Sequence, residues 1–199
     1  MIKTIFKDAR FILEKDPAAA SLLEVFFCYP GFHAVVMHRI AHFMYWRGFP
    51  LLSRLLALFN RFLTGVDIHP AAKVGSPIFI DHGMGVVIGE TTEIGANVII
   101  FQDVTLGGTG KETGKRHPTI GDHVILCAGA KVLGSIKVGH GSKIGAGAVV
   151  LKEVPPCCTV VGVPGTIVKV GGQFIRVDQE KLRKENKPEP NYATQLEVK

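Results

Sequence analysis

The chain has 199 residues, 47% of them hydrophobic and 20% charged, with a formal net charge of +6. That length holds one repeat domain plus a smaller element, and the composition is that of a folded globular protein rather than a disordered or fibrous one. The basic residues are spread along the chain with no aromatic-interleaved basic motif, which argues against nucleic acid and suits an anionic small molecule such as a pyrophosphate-bearing cofactor.

The first twenty residues carry Asp8 and Glu14 and lack an apolar core, so no signal peptide is expected. Residues 2–15 place Ile2, Ile5, Phe6, Ala9, Ile12 and Leu13 on one helical stripe. Asp16-Pro17 then reads as a cap followed by a first-turn proline, which starts a second helix running to about Phe27. Pro30-Gly31 breaks it, a third helix covers about 32–46, and after Gly48 and Pro50 a fourth covers about 51–63. The stretch 21–64 is apolar, but His33, His38, Arg39, His42, Arg47 and Arg54 interrupt it, and no run approaches the roughly 18 residues of a membrane span. His38 and His42 stand four apart on the third helix; with no third ligand suitably spaced, a helix or subunit contact is expected there and no metal site. The four cysteines, Cys28, Cys127, Cys157 and Cys158, form no CxxC pair and read as free thiols of a reducing cytoplasm.

From Ile68 the pattern changes to a beat of six. Aliphatic residues fall at Ile68, Val74, Ile80 and Val86; a slip of two follows; the beat resumes at Ile88, Ile94, Ile100 and Leu106, and again at Ile120, Leu126, Val132, Val138, Ile144 and Val150. Neither a helix nor a simple strand repeats every six residues. A hexapeptide repeat does, and it is the signature of a parallel β-helix in which three six-residue sides make one coil. Gly83, Asn97, Gly129, Gly141 and Gly147 fall three positions after the beat, where a corner calls for positive φ. The expected organisation is a helical domain over 1–65, a β-helix over 66–170 with a polar loop extruded at 107–118, and a charged tail over 171–199.

Three clusters carry chemistry: Asp67-Ile68-His69-Pro70, Asp81-His82-Gly83-Met84-Gly85, and Arg116-His117-Pro118 at the end of the extruded loop. Asp67 and His82 are a little under one coil apart, so neighbouring rungs can bring a carboxylate beside an imidazole, the arrangement that orients a general base. The bland alternative is that a corner Asp and a corner His bond only to turn backbone.

The runs DIHPAAKVG, DHGMGVVIGET, VTLGGTGKETGKRHPTI, AGAKVLGSIKVGHGSKIGAGAVV and GVPG, together with DPA at 16–18 and GFHA at 31–34, resemble bacterial serine O-acetyltransferases of the hexapeptide-repeat acyltransferases. The resemblance spans about 8–168 and implies a mostly β, left-handed parallel β-helix behind a short helical domain. It implies a cytoplasmic homotrimer, with a dimer of trimers in longer members, that transfers acetyl from acetyl-CoA to the L-serine hydroxyl. The products would be O-acetyl-L-serine and CoA, the first step from serine to cysteine, and no metal would be needed. Carried over by motif, His82 is the general base and Asp67 its orienting partner; Asp16, Asp81, Arg116 and His117 bind serine. Gly108, Ala128, Lys143 and Ala146 line the pantetheine arm of acetyl-CoA. Carboxylates suit an ammonium and a guanidinium fork suits a carboxylate, as a zwitterionic substrate requires.

Two departures stand out. The helical domain is shorter than in members that form hexamers, and the chain ends in Lys199, where the tail that docks into O-acetylserine sulfhydrylase ends in isoleucine. Weak or no binding to that partner is therefore expected. The rival readings are an acetyltransferase for a sugar or antibiotic acceptor, which lacks the paired Asp81 and Arg116 logic, and a β-helix without CoA chemistry, either a γ-type zinc carbonic anhydrase or a structural repeat protein. The zinc enzyme needs three converging histidines, and only His82 and His117 are near enough to argue for.

Overall fold

In the computed structural model, residues 2–110 and 113–175 are described; they form four helices followed by a parallel β-helix. The helices are α1 (Ile2–Lys15), α2 (Leu22–Cys28), α3 (Pro30–Trp46) and α4 (Pro50–Thr64). α2 starts later than Asp16-Pro17 suggests. Ser21 is its cap, accepting from the Glu24 amide at 3.2 Å, while Glu24 Oε2 accepts from the Ala20 amide at 2.8 Å. This reciprocal box satisfies two orphan donors, so it sets the helix start. Asp16 instead closes a local turn through the Ala18 amide at 2.8 Å. Pro30 opens α3 as its first-turn residue rather than preceding the helix. Gly65, at φ 73°, ends α4 in the left-handed conformation that a side chain disfavours.

Each coil has three short sides. Face A stacks β1 (Asp67–Ile68), β4 (Val87–Ile88), β7 (Thr105–Gly107), β10 (Lys131–Leu133) and β13 (Val149–Val150). Face B stacks β2 (Lys73–Val74), β5 (Glu93–Ile94), β8 (Thr119–Ile120) and β11 (Lys137–Val138). Face C stacks β3 (Ile78–Ile80), β6 (Val98–Ile100), β9 (Ile125–Leu126), β12 (Lys143–Ile144) and β14 (Cys158–Val161). The beat residues are register partners: Ile68 with Ile88, Ile88 with Leu106, Leu106 with Val132, and Val132 with Val150. Those steps are 20, 18, 26 and 18 residues, so one coil carries two extra residues and another eight. The eight form the loop before β8, as expected, although Gly107 still pairs with Leu133 in face A. The two lie between Ile80 and Ile88, in the DHGMG corner. The slip thus precedes Val86 rather than following it: Val86 is fully buried, but it fills the corner position two before the beat, alongside Val66, Val104, Ala130 and Ala148. Gly83, Asn97, Gly129, Gly141 and Gly147 all have positive φ.

The helical layer closes the first coil. Ala34 and Val35 of α3 join the aliphatic column at its open end. Asp8 of α1, 1% exposed, accepts from Arg39 Nη2 at 2.7 Å and Nε at 3.1 Å, and from Ser76 Oγ at 2.8 Å; Arg39 also reaches the Gly75 carbonyl at 3.1 Å. This buried cluster fastens α1 and α3 to the first coil, and removing one partner would cost on the order of 3–5 kcal/mol by stranding the other charge. At the far end the chain leaves the coil earlier than expected. β15 (Thr166–Val170) runs antiparallel to β14 and is followed by β16 (Gln173–Phe174), so the first residues of the expected tail form a hairpin. The remainder of the tail, including Lys199, lies outside the described residues. All four cysteines are free.

Candidate active site

Most of the predicted site residues fall at the two ends of face A. The edge between faces C and A holds the DHGMG corner. Its two extra residues throw the turn outward; His82 itself adopts φ 58°, a left-handed conformation tolerated by His more than by most side chains, and Gly83 follows at φ 77°. The His82 ring is 71% exposed, with Nε2 3.8 Å from Asp81 Oδ2. The corner rests on the start of the first coil: the Gly85 amide donates to the Gly65 carbonyl at 3.0 Å and the Asp67 amide to Val86 at 2.8 Å. Asp67 therefore stands beside the corner by backbone register. Its carboxylate, however, accepts from Arg61 Nη1 of α4 at 3.1 Å, and among the described residues no hydrogen bond joins it to His82. Asp16 approaches the same edge from the α1–α2 connection, where Oδ2 accepts from the Tyr29 hydroxyl at 2.6 Å. Burial raises the Tyr29 phenol well above its ordinary pKa, and the Asp16, Glu24 and Asp81 charges add to the rise.

The edge between faces A and B holds the end of the extruded loop. His117 is buried at 8% exposure. Its Nδ1 accepts from the Thr91 amide at 3.1 Å and faces Thr91 Oγ1 at 2.9 Å, which places the ring proton of the neutral imidazole on Nε2. Burial, then the Arg116 charge, hold His117 below the usual imidazole range. Thr91 Oγ1 also accepts from the Arg116 and His117 amides at 3.0 and 3.1 Å, so one hydroxyl fastens the returning loop. A side chain on Gly89 would overlap the His117 ring; that glycine is what lets the imidazole lie on the coil. Arg116 Nη2 meets Glu90 Oε2 at 2.5 Å, and this bond holds the Glu90 carboxyl below its ordinary range. His69 completes the edge. The Ala71 amide donates to its Nδ1 at 3.1 Å and Arg54 Nη1 stands 3.0 Å from Nε2, so both ring nitrogens face donors and the corner is one acceptor short. Burial lowers the His69 pKa.

Of the residues expected to line a cofactor, Ala128 and Ala146 lie on the edge of His82. Corners there stack by backbone bonds: Asp103 to the Met84 carbonyl at 2.8 Å, Gly129 to Gln102 at 2.9 Å and Gly147 to Ala128 at 2.9 Å. Lys143 projects from face C, paired in register with Ile125 and Thr159. Gly108 belongs to the other edge, under Arg116, where a Cβ would touch the Arg116 carbonyl at 3.4 Å. Sequence reasoning gave no role to Tyr29, Glu90, Thr91, Arg61 or His69. The quoted motifs contain Glu90, Thr91 and His69, so these were visible as positions without partners; nothing in the sequence pairs Tyr29 with Asp16. His38, 3% exposed, hydrogen-bonds the Ala72 backbone, and burial lowers its pKa to about 3; among the described residues no cluster suits a metal ion. No described helix is long and apolar enough to cross a membrane.

Residues 117–152 match the family of bacterial transferase hexapeptides (six repeats). The serine acetyltransferase of Bacillus licheniformis is 55% identical over 188 residues, covering 94% of this chain and 86% of the relative. Among solved structures, Neisseria gonorrhoeae serine acetyltransferase in complex with serine superposes with a TM-score of 0.81 at 45% identity, covering 83% of this chain and 68% of that one. Brucella abortus serine acetyltransferase in complex with coenzyme A does so with a TM-score of 0.84 at 43% identity, covering 86% and 69%. With the coil, both charged edges and this degree of identity in agreement, the chain belongs to the serine acetyltransferase family.

Proposed function

We propose that this protein transfers the acetyl group of acetyl-CoA to the hydroxyl of L-serine, releasing O-acetyl-L-serine and CoA, and so opens the route from serine to cysteine in the cytoplasm. The observation that carries this reading is the polarity of face A: carboxylates and an exposed imidazole at one end, a guanidinium and a buried imidazole at the other. A zwitterionic amino acid needs both. Asp16 and Asp81 would take the ammonium, Arg116 the carboxylate in its bidentate fork, and His117 Nε2–H a further acceptor of the substrate. His82 would remove the hydroxyl proton as the oxygen attacks the thioester carbonyl. The tetrahedral oxyanion then collapses, and the imidazolium returns the proton to the departing CoA sulfur. No side-chain nucleophile is required, because the substrate supplies one. Asp67 would orient the imidazole after leaving Arg61. That exposed ion pair, with Arg61 at 61% and Asp67 at 39% exposure, is worth on the order of 0–1 kcal/mol and is readily exchanged. Acetyl-CoA would run down the edge past Ala128 and Ala146 toward Lys143.

The two charged groups stand at opposite ends of face A in one chain, so the reading includes a homotrimer whose sites are shared, each copy giving its His82 edge to one site and its Arg116 edge to the next. Exposed apolar side chains on α3 and α4, among them Phe43, Leu55, Phe59 and Phe62, suit burial against further copies, including a dimer of trimers. The direct test of activity is thiol release from acetyl-CoA with each of the twenty amino acids; turnover with L-serine alone is expected, and equal turnover with none or all would end the reading. Shared sites predict complementation: co-refolded Arg116→Ala and His82→Ala chains regain activity that neither has alone.

A further inference from the structure

We propose that Tyr29 is the residue that positions Asp16 for the substrate ammonium, and hence a determinant of amino-acid specificity; this rests on the role given to Asp16 above. Asp16 sits in an irregular connection, where a lone carboxylate would sample several rotamers. Both of its oxygens are occupied: Oδ1 by the Ala18 amide at 2.8 Å and Oδ2 by the Tyr29 hydroxyl at 2.6 Å. One orientation is thereby fixed, and lone pairs remain on each oxygen for a cation.

Three features place Tyr29 for this. It is the single residue between α2 and α3, extended at φ −102° and ψ 103°, with Pro30 opening the next helix. Its ring packs against Phe79 of β3, with centroids 6.4 Å apart, and β3 leads directly into Asp81 and His82. Gly31, two residues on, lies so close to the Ile80 carbonyl that any Cβ would overlap it, which fixes the start of α3 against the end of that strand. The hydroxyl that holds Asp16 is therefore built on the same rigid unit that delivers Asp81 and His82. Asp81 is near enough to add to the rise in the phenol's pKa, so the two carboxylates and the phenol share one edge. A phenol shifted upward stays protonated across the physiological range and always donates. It thus orients Asp16 without competing for the cation.

The test is Tyr29→Phe, which deletes one hydroxyl and keeps the ring against Phe79. Steady-state kinetics are measured with L-serine and with 3-hydroxypropionate, the same acceptor without its ammonium. KM for serine should rise about tenfold, the effect of losing a hydrogen bond to a charged group. KM for acetyl-CoA and kcat should stay within about twofold to threefold, and the preference for serine over 3-hydroxypropionate should fall by a similar tenfold. That ratio is taken within one preparation, so it does not depend on the folded fraction. Asp16→Asn should lower the same preference at least as far, with Asp81 still in place, and adding Tyr29→Phe to it should change little more. An equal loss toward both acceptors would make Tyr29 a merely structural residue and overturn the proposal. So would an Asp16→Asn enzyme that loses the preference beside a Tyr29→Phe enzyme that keeps it. If neither variant alters the preference, the ammonium lies elsewhere and the proposal falls together with the role of Asp16, while acetyl transfer to serine by the unmodified protein would still stand.

Discussion

The two ends of face A hold polar groups at coil corners in opposite ways. At the Arg116 end, a loop of eight extra residues returns to the coil and is fastened by one Thr91 hydroxyl, with His117 buried on Gly89 and Arg116 paired to Glu90. At the His82 end, only two extra residues lift the turn, and the imidazole stands in solvent, its nearest carboxylate 3.8 Å away. One edge is pre-organised in the isolated chain and the other is left open. Recognition of a substrate carboxylate benefits from a fixed fork, whereas a base that must lose and regain a proton benefits from a ring that can meet both substrates.

The largest break in this contrast should come from the open edge. His82→Ala is expected to lower kcat by about 10²–10⁴ while the protein stays folded, with only a small drop in melting temperature from placing Ala at φ 58°; retention of more than half the turnover would move the base elsewhere. Asp67→Asn should cost less than His82→Ala, since it removes orientation and leaves the base. At the built edge, Arg116→Lys keeps the charge and loses the fork, so KM for serine should rise about tenfold with little change for acetyl-CoA; a change confined to acetyl-CoA would show that the loop serves the cofactor. Thr91→Val removes the acceptor of two amides. It should raise KM for serine severalfold and lower stability by about 1–2 kcal/mol, read from denaturant midpoints, whereas the same loss of stability with normal KM would separate the fastening from the fork. The last effect, on stability alone, concerns the layer over this edge. His38 is held neutral in the fold, with a pKa of about 3, but would gain a proton near pH 6.5 when unfolded. The unfolded chain binds the extra proton, so stability falls as pH drops below about 6.5. By pH 5 this amounts to about 2 kcal/mol, which His38→Phe should abolish; parallel acid limbs in the two proteins, compared by urea unfolding at pH 7.5 and pH 5, would argue that the ring is not kept neutral.

Much of the fold is legible in the sequence. A column of one aliphatic residue per side leaves a beat of six that no other fold keeps over so many units, and the corner glycines mark themselves by type. The slip was misplaced for a physical reason: Val86 is aliphatic, buried and six residues after Ile80, so it satisfies the beat from one direction while filling the corner position of the next coil. Only the register of Ile68 with Ile88 tells the two apart. The start of α2 rests on Ser21 and Glu24, three residues apart, a signal that the reading from Asp16-Pro17 missed. The pairings of Glu90 with Arg116 and of Tyr29 with Asp16 could not be read. They join residues brought together by an extruded loop and by a one-residue hinge, and neither leaves a period in the sequence.

The hairpin at the end of the coil bears on colloidal behaviour. A parallel solenoid is by construction an unfinished object: its last rung offers a row of unpaired amides and carbonyls in the geometry of the next rung, and stacking copies end to end would extend it into a filament. Here α3 plugs one end with Ala34 and Val35. At the other, β15 pairs with β14 in the reverse direction and β16, only two residues long, is the edge of that face among the described residues. A rung running backwards is a poor template for a forward coil, so on face C the reversal acts as a chain terminator for polymerisation and favours closed assemblies over open fibres.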